Sequence, residues 1–361
     1  MDYLQQITEI EEEIRNTPYH KGTEHHIGKL RARLARLKDR QLEQYTKSKG
    51  GGGGGGYAIK KQGDATVVLV GPPSSGKSTL LNLITNAESK VAPYAFTTVS
   101  VIPGMLKYKE AYIQILDVPG LIEGASKGKG RGKEVISVIR GSDLLLLMTD
   151  TERIDLIETL KDELHEAGIR INQTVPNISI SKKTQGGIFI HTNIKQQIGK
   201  LTIKEMAMEF GIRNADIVIK EKLTFDRLID AFSENRLFVP ALVVVNKIDL
   251  DNPQTQKSSD PQKPIYISAD KGLGIEELKE SIWKSLKLVR LFLVRPDEEP
   301  SQNHSIIMKE GETLGDVALK IGSEFAEGKK LAKIWGPQAH FPGQEVPLST
   351  QVVEGLQVRF I

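Results

Sequence analysis

Residues 65–84 read ATVVLVGPPSSGKSTLLNLI. The first six positions are an apolar, β-branched run of the kind that fills a strand buried on both faces. The next eight, Gly71-Pro72-Pro73-Ser74-Ser75-Gly76-Lys77-Ser78, match G-x-x-x-x-G-K-[ST] at every fixed position. Thr79 and the leucines after it carry the chain into a predicted helix. A strand, a glycine-rich loop and a helix in that order point backbone N–H groups and a helix N-terminus at a phosphate. Lys77 would place its charge between β- and γ-phosphates, and the Ser78 hydroxyl would ligate Mg²⁺.

Three further segments lie downstream in the expected order. Asp117-Val118-Pro119-Gly120 follows an apolar run. Asp117 would hold Mg²⁺, in part through water, because that ion keeps much of its hydration. The Gly120 N–H would reach a γ-phosphate and let go when it leaves. Asn246-Lys247-Ile248-Asp249 follows a core strand. A carboxylate at 249 accepts from guanine N1–H and N2–H, whereas adenine would leave a buried Asp249 unpaired. Asn246 is expected to brace the loop and touch the base edge, and the Lys247 stem to cover the base face. Ser268-Ala269-Asp270 completes the guanine loop, with the Ala269 N–H expected to face O6. Between the loop and Asp117 lie Thr97 and Thr98. Thr98 is the favoured switch threonine for Mg²⁺ and the γ-phosphate, with Thr97 as alternate. Lys77, Thr98 and Gly120 are therefore the candidate catalytic groups, and Ser78, Thr98 and Asp117 the candidate metal ligands.

The residue after Gly120 is Leu121. A glutamine that orients the attacking water is common there, and leucine can neither donate nor accept. Intrinsic GTP hydrolysis is expected on the order of 10⁻⁴–10⁻² s⁻¹, and acceleration would need a group from a partner or a monovalent cation. Lys127, Lys129 and Arg131, in the basic stretch 124–132, are alternative helpers.

Further outward, short apolar runs at 112–116, 144–148, 241–245 and 265–267 alternate with helical segments. The expected fold class is α/β: a P-loop domain with a mostly parallel sheet over 64–169 and 239–288. The polar, mixed text of 170–238 reads as an inserted α+β subdomain. Residues 289–361 alternate in short β-like segments around one helix at 313–321 and read as a small separate domain. At the other end, Leu4, Ile7, Ile10, Ile14 and then Ile27, Leu30, Leu34, Leu37 form two helical stripes separated by Thr17-Pro18. This is a predicted helical hairpin over 1–49. From 27 to 49 it carries eight Lys/Arg against two acids, a solvated face or a docking face for RNA or an acidic partner. The glycine run 50–56 marks a linker over 50–63.

Across all 361 residues the net charge is only +3, so no whole-chain field argues for DNA or any nucleic acid. There is no cysteine, which excludes disulfides and thiolate metal sites. The opening MDYLQQITEIEEE lacks the apolar core of a signal peptide, and runs such as 144–148 are too short for a bilayer. A cytoplasmic protein without membrane contact is the expectation.

Taken with GPPSSGKSTLLN, PYAFTT, DVPGLIEGASKGKGRG, NKID and the early TPYHKGTEHHIGKLRARLARLK, the chain resembles the developmentally regulated GTP-binding proteins of the Obg/HflX group. The likeness spans nearly the whole sequence. It implies a helical N-terminus, an interrupted GTPase domain with a ribosomal-protein-like insertion, and a C-terminal TGS domain of β-grasp fold. It also implies ribosome or rRNA association and a dedicated stabilising partner protein. Relatives in the wider group hold K⁺ with a P-loop asparagine, where this chain has Ser74. The expected function is a slow GTPase switch. An RNA-binding scaffold with GTP as a static ligand is the alternative, and the switch residues Thr98 and Gly120 separate the two.

Overall fold

The computed structural model describes residues 3–49, 62–85, 92–93, 100–118, 132–250 and 263–361. Thr98, Gly120, Leu121 and the basic residues 127, 129 and 131 lie outside them. The described chain divides into two compact units, 58–167 with 239–361, and 1–57 with 168–238.

The first unit is built on a seven-stranded sheet. Its order is Ile265–Tyr266, Ala241–Asn246, Leu144–Asp150, Ala65–Val70, Ala111–Asp117, Ser100–Tyr108, Ala92–Pro93. The four pairings from Ile265–Tyr266 across to Ala111–Asp117 are parallel, and the last two pairings are antiparallel. The continuous apolar runs fall at the centre for a simple reason. Parallel strands covered by helices on both sides have no solvent face, so every residue of Ala65–Val70 and Leu144–Asp150 is buried. Leu69, Leu80, Ile113, Leu146, Val244 and Ile282 share one core. The chain leaves the central strand Ala65–Val70 toward one side of the sheet and later returns on the other. That makes a switch point at its carboxyl end, where α/β sheets bind ligands.

The C-terminal segment of this unit is a five-stranded mixed sheet in the order Ser305–Lys309, Leu288–Leu293, Gln357–Phe360, Leu331–Trp335, Gln344–Pro347. The helix Leu314–Ile321 packs on it through Leu314, Val317 and Ala318. Thr313, expected inside that helix, is its cap: Thr313 and Asp316 form a reciprocal capping box. The segment does not hang free. Leu288 and Ile307 sit in the core of the large sheet. Lys309 pairs with Asp143 at 2.9 Å, Lys320 pairs with Asp64 at 3.2 Å, and Ser305 donates to Glu110.

The second unit joins the N-terminal hairpin to the insertion. Tyr3–Asn16 and Glu24–Lys49 close on each other through Ile7, Ile10, Leu30 and Leu37. The other side of the long helix enters the inserted core with Ala32. Its contact is made close by Gly28, where a Cβ would lie 2.7 Å from Thr202 Cγ2 and 2.9 Å from Phe225 Cε1. The buried Glu24 carboxylate accepts from Gly199 N–H at 2.9 Å and from Thr202 Oγ1 at 3.2 Å. Asp39 accepts from Ser233 at 2.6 Å and from Arg236 at 2.7 Å. Some of the basic charge read along this helix is therefore spent inside the unit. Arg36 donates to the Glu209 carbonyl, Lys38 pairs with Glu11, and Arg31 lies over the Phe225 ring. The inserted body itself is a three-stranded sheet, Ile178–Lys182, Ala215–Ile219, Ile188–Thr192, backed by the helices Lys200–Glu209 and Phe225–Phe232.

Candidate nucleotide site

The loop 71–76 lies between the central strand and the helix Lys77–Ile84, at the switch point. Two of its glycines are required by space. A Cβ on Gly71 would lie 2.0 Å from the Met148 carbonyl oxygen, and one on Gly76, at φ +91°, 2.1 Å from Asn246 Nδ2. Lys77 is buried and its ammonium donates to the Gly71 and Pro72 carbonyls at 3.1 and 3.0 Å. Burial pulls its pKa below the usual lysine range, with Asp117 opposing and Arg153 adding to the fall. An anion in the loop would give this ammonium the counter-charge it lacks.

Ser78 Oγ donates to Asp117 Oδ2 at 2.5 Å. Asp117 Oδ1 is buried without a hydrogen-bond partner, as is Ser75 Oγ. An unsatisfied buried carboxylate oxygen beside a hydroxyl suits a hard cation that takes oxygen ligands and keeps water and phosphate for the rest of its shell. The residues present thus fit Mg²⁺.

A cleft of about 440 Å³ runs from this loop across to the other motifs. Ser74, Lys77, Thr79, Asn246, Asp249 and Ala269 are on its walls, with Gly76, Ser78, Lys247 and Ser268 also lining it. Asn246 is its brace: Nδ2 donates to the Ser75 carbonyl and Oδ1 accepts from the Ala269 N–H, both at 2.9 Å. Two expectations change here. The Ala269 N–H, expected to face guanine O6, is held by Asn246. Asp249, expected to be buried, is exposed. A hydrogen bond with Ser268, aided by Lys271, lowers the Asp249 pKa and keeps it an acceptor.

Asp150 and Arg153 belong to none of the motifs. Asp150 ends the strand Leu144–Asp150 and takes Arg153 in a two-pronged pair, Nε to Oδ1 at 3.1 Å and Nη2 to Oδ2 at 2.6 Å. It also accepts from Lys247 Nζ at 3.1 Å, and Arg153 Nη1 reaches the Pro73 carbonyl at 3.1 Å. The hydrogen bond from Arg153, reinforced by Lys247, holds the Asp150 pKa at about 2 despite its burial. The pair thus ties Lys247, in the segment 246–249, to Pro73, in the loop 71–76. Its one signal in the sequence is an acid closing an otherwise apolar strand at the ligand end of the sheet.

Comparison with known proteins agrees with this geometry. Residues 66–183 match the family described as "50S ribosome-binding GTPase", residues 185–288 the C-terminal region of the same domain, and residues 289–361 the TGS domain. An uncharacterized GTP-binding protein of Methanocaldococcus jannaschii is 44% identical, covering 98% of this chain and 92% of its own length. GTP-binding protein 1 of Schizosaccharomyces pombe is 40% identical over 98% of both chains. Developmentally-regulated GTP-binding protein 2 of Homo sapiens is 36% identical, covering 97% of this chain and 96% of its own.

Proposed function

The chain belongs to the developmentally regulated GTP-binding protein family, and from that premise we propose that it is a slow, Mg²⁺-dependent GTP phosphohydrolase that switches with its nucleotide and acts on the ribosome. The GTPase domain and its guanine-nucleotide ligand follow from the family. The rate, the metal and the partner are our reading of the residues.

The observation that carries it is the pairing of a buried Lys77 with a Ser78–Asp117 couple whose second carboxylate oxygen is unsatisfied. Lys77 and the loop N–H groups would neutralise the β- and γ-phosphates. Ser78, Asp117 and Thr98 would hold Mg²⁺, which when bound would offset the phosphate charge. Asp249, Asn246, Lys247, Ser268 and Ala269 would select and seat guanine. The Gly120 N–H would sense the γ-phosphate. Leu121 cannot orient water, so the site lacks one catalytic group and turns over slowly unless another supplies it. Ribosome or rRNA is the proposed source of that help, in line with the family description and the TGS domain. K⁺ is the competing source, with Ser74 against it, and a stabilising partner protein is expected from the resemblance.

The test is GTP turnover by the purified protein, with and without ribosomes, in potassium and in sodium buffer. Stimulation by ribosomes in either salt is the expected result. Stimulation by potassium alone would replace the ribosome with a cation. A rate unmoved by every addition would favour GTP as a static ligand.

A further inference from the structure

The inserted body has a cleft of its own, about 640 Å³, lined among others by Ile190, His191, Asn193, Lys200, Val218 and Lys220. It opens at the carboxyl ends of two neighbouring parallel strands, Ile188–Thr192 and Ala215–Ile219. The helix Lys200–Glu209 that links them begins beside it. Crevices in that position are where α/β units receive ligands.

The sheet leading to it is two-faced. Ile188, Ile190, Ala215, Ile217 and Ile219 are buried against the helices. On the outer face Ser179, Ser181, Phe189 and His191 are exposed, Phe189 at 52%. A phenyl ring and an imidazole two residues apart on an open strand thus point the same way as the mouth of the cleft is approached. Lys183 lies over the Phe189 ring at 5.8 Å. The single carboxylate in the three strands, Asp216, is neutralised by Lys183 at 2.5 Å, with His191 at 4.0 Å. Lys195, Lys200, Lys220 and Lys222 are exposed and form no ion pair among the described residues.

We propose that this face binds single-stranded RNA, with bases stacked on Phe189 and His191 and the following phosphates held by Lys200 and Lys220. Exposed rings on a sheet flanked by unpaired cations match the demands of unpaired bases on a charged backbone. A duplex would hide the base faces the rings need. An acidic peptide would engage the lysines but has no run of planar bases to stack on the two rings. Asn193, exposed at the cleft mouth, offers a donor and an acceptor for a 2′-hydroxyl. The surface lies outside the GTP cleft and does not depend on the reading of it.

The experiment uses the full chain with GDP and a short fluorescent single-stranded RNA of mixed sequence, read by polarisation. The same sequence as single-stranded DNA and as RNA duplex are the comparison probes. The unpaired RNA should bind tightest. Phe189→Ala should weaken it on the order of ten-fold, the loss of one stacked base, with GTP turnover and melting temperature unchanged. The double substitution Lys200→Gln, Lys220→Gln should weaken it further and flatten the salt dependence by roughly 1.4 in log–log slope, about 0.7 for each phosphate no longer neutralised. Absence of binding to unpaired RNA, equal binding of the duplex, tighter binding of DNA, or an unchanged affinity in Phe189→Ala would each overturn the proposal. Because the probe is naked RNA, the result is separable from any failure of ribosomes to stimulate turnover.

Discussion

Asp150 and Asp249 are both carboxylates at the nucleotide cleft, and their surroundings give them opposite roles. Asp150 is buried and held by Arg153 and Lys247 with a pKa of about 2, below its unfolded value near 3.9. Its contribution to stability is therefore fully present above that unfolded value and is lost as pH falls through about 2. Asp150→Asn should cost about 1–2 kcal/mol at neutral pH and almost nothing near pH 2. Urea unfolding at the two pH values measures it, and an equal cost at both would refute the pairing. Asp249 is exposed and ready to accept from a ligand. Asp249→Asn replaces one acceptor with a donor pair, so preference should move from guanine to xanthine nucleotides. Competition binding of GDP against XDP reads the change, and retained guanine preference would remove Asp249 from the base site. The two residues also differ in how readable they are. Asp249 sits in a four-residue word, NKID, whose meaning is local. Asp150 acquires its partners only when residues 73, 153 and 247 converge on the strand end, and no spacing announces that.

The helix Glu24–Lys49 shows the same limit one level up. Its apolar stripe is legible and does meet the first helix through Leu30 and Leu37. The opposite side, with Gly28 and Ala32, reads as nothing in particular because small residues carry no hydropathy signal. Yet smallness is what lets the helix approach Thr202 and Phe225, far along the chain. Gly28→Leu should gain helical propensity of about 1 kcal/mol and still destabilise the unit by about 1–3 kcal/mol through overpacking. Denaturant unfolding of the variant gives the sign, while GDP affinity should stay unchanged. A more stable variant would mean the contact is not close. The central strands pose no such difficulty: a strand buried on both faces must be apolar throughout, so ATVVLV and LLLLM declare themselves.

At the scale of the molecule, the TGS segment reads as a separate piece, and its composition does change at 289. What composition does not reveal is that Ile307 completes the core of the nucleotide-binding sheet beside Trp283 and Leu286. Truncation after residue 288 should therefore lower the melting temperature of the GTPase unit. Uncovering one buried side chain of that size costs about 1.5–3 kcal/mol, before the Asp143 and Asp64 pairs are counted. Calorimetry of the truncated and full chains tests it, and an unchanged transition would make the segment an appendage. No helix among the described residues is long and apolar enough to cross a membrane. The brace at Asn246 has a consequence for the cleft as a whole. One side-chain amide clasps Ser75 at one end and Ala269 at the other, each at 2.9 Å. The two grips are thereby set like the jaws of a caliper locked at a single opening. If base and inner phosphates occupy the two ends of this cleft, as proposed, such a caliper would gauge the span between them and return the same reading for GDP as for GTP. On that proposal, telling the two apart would fall to parts of the chain that the amide does not clasp.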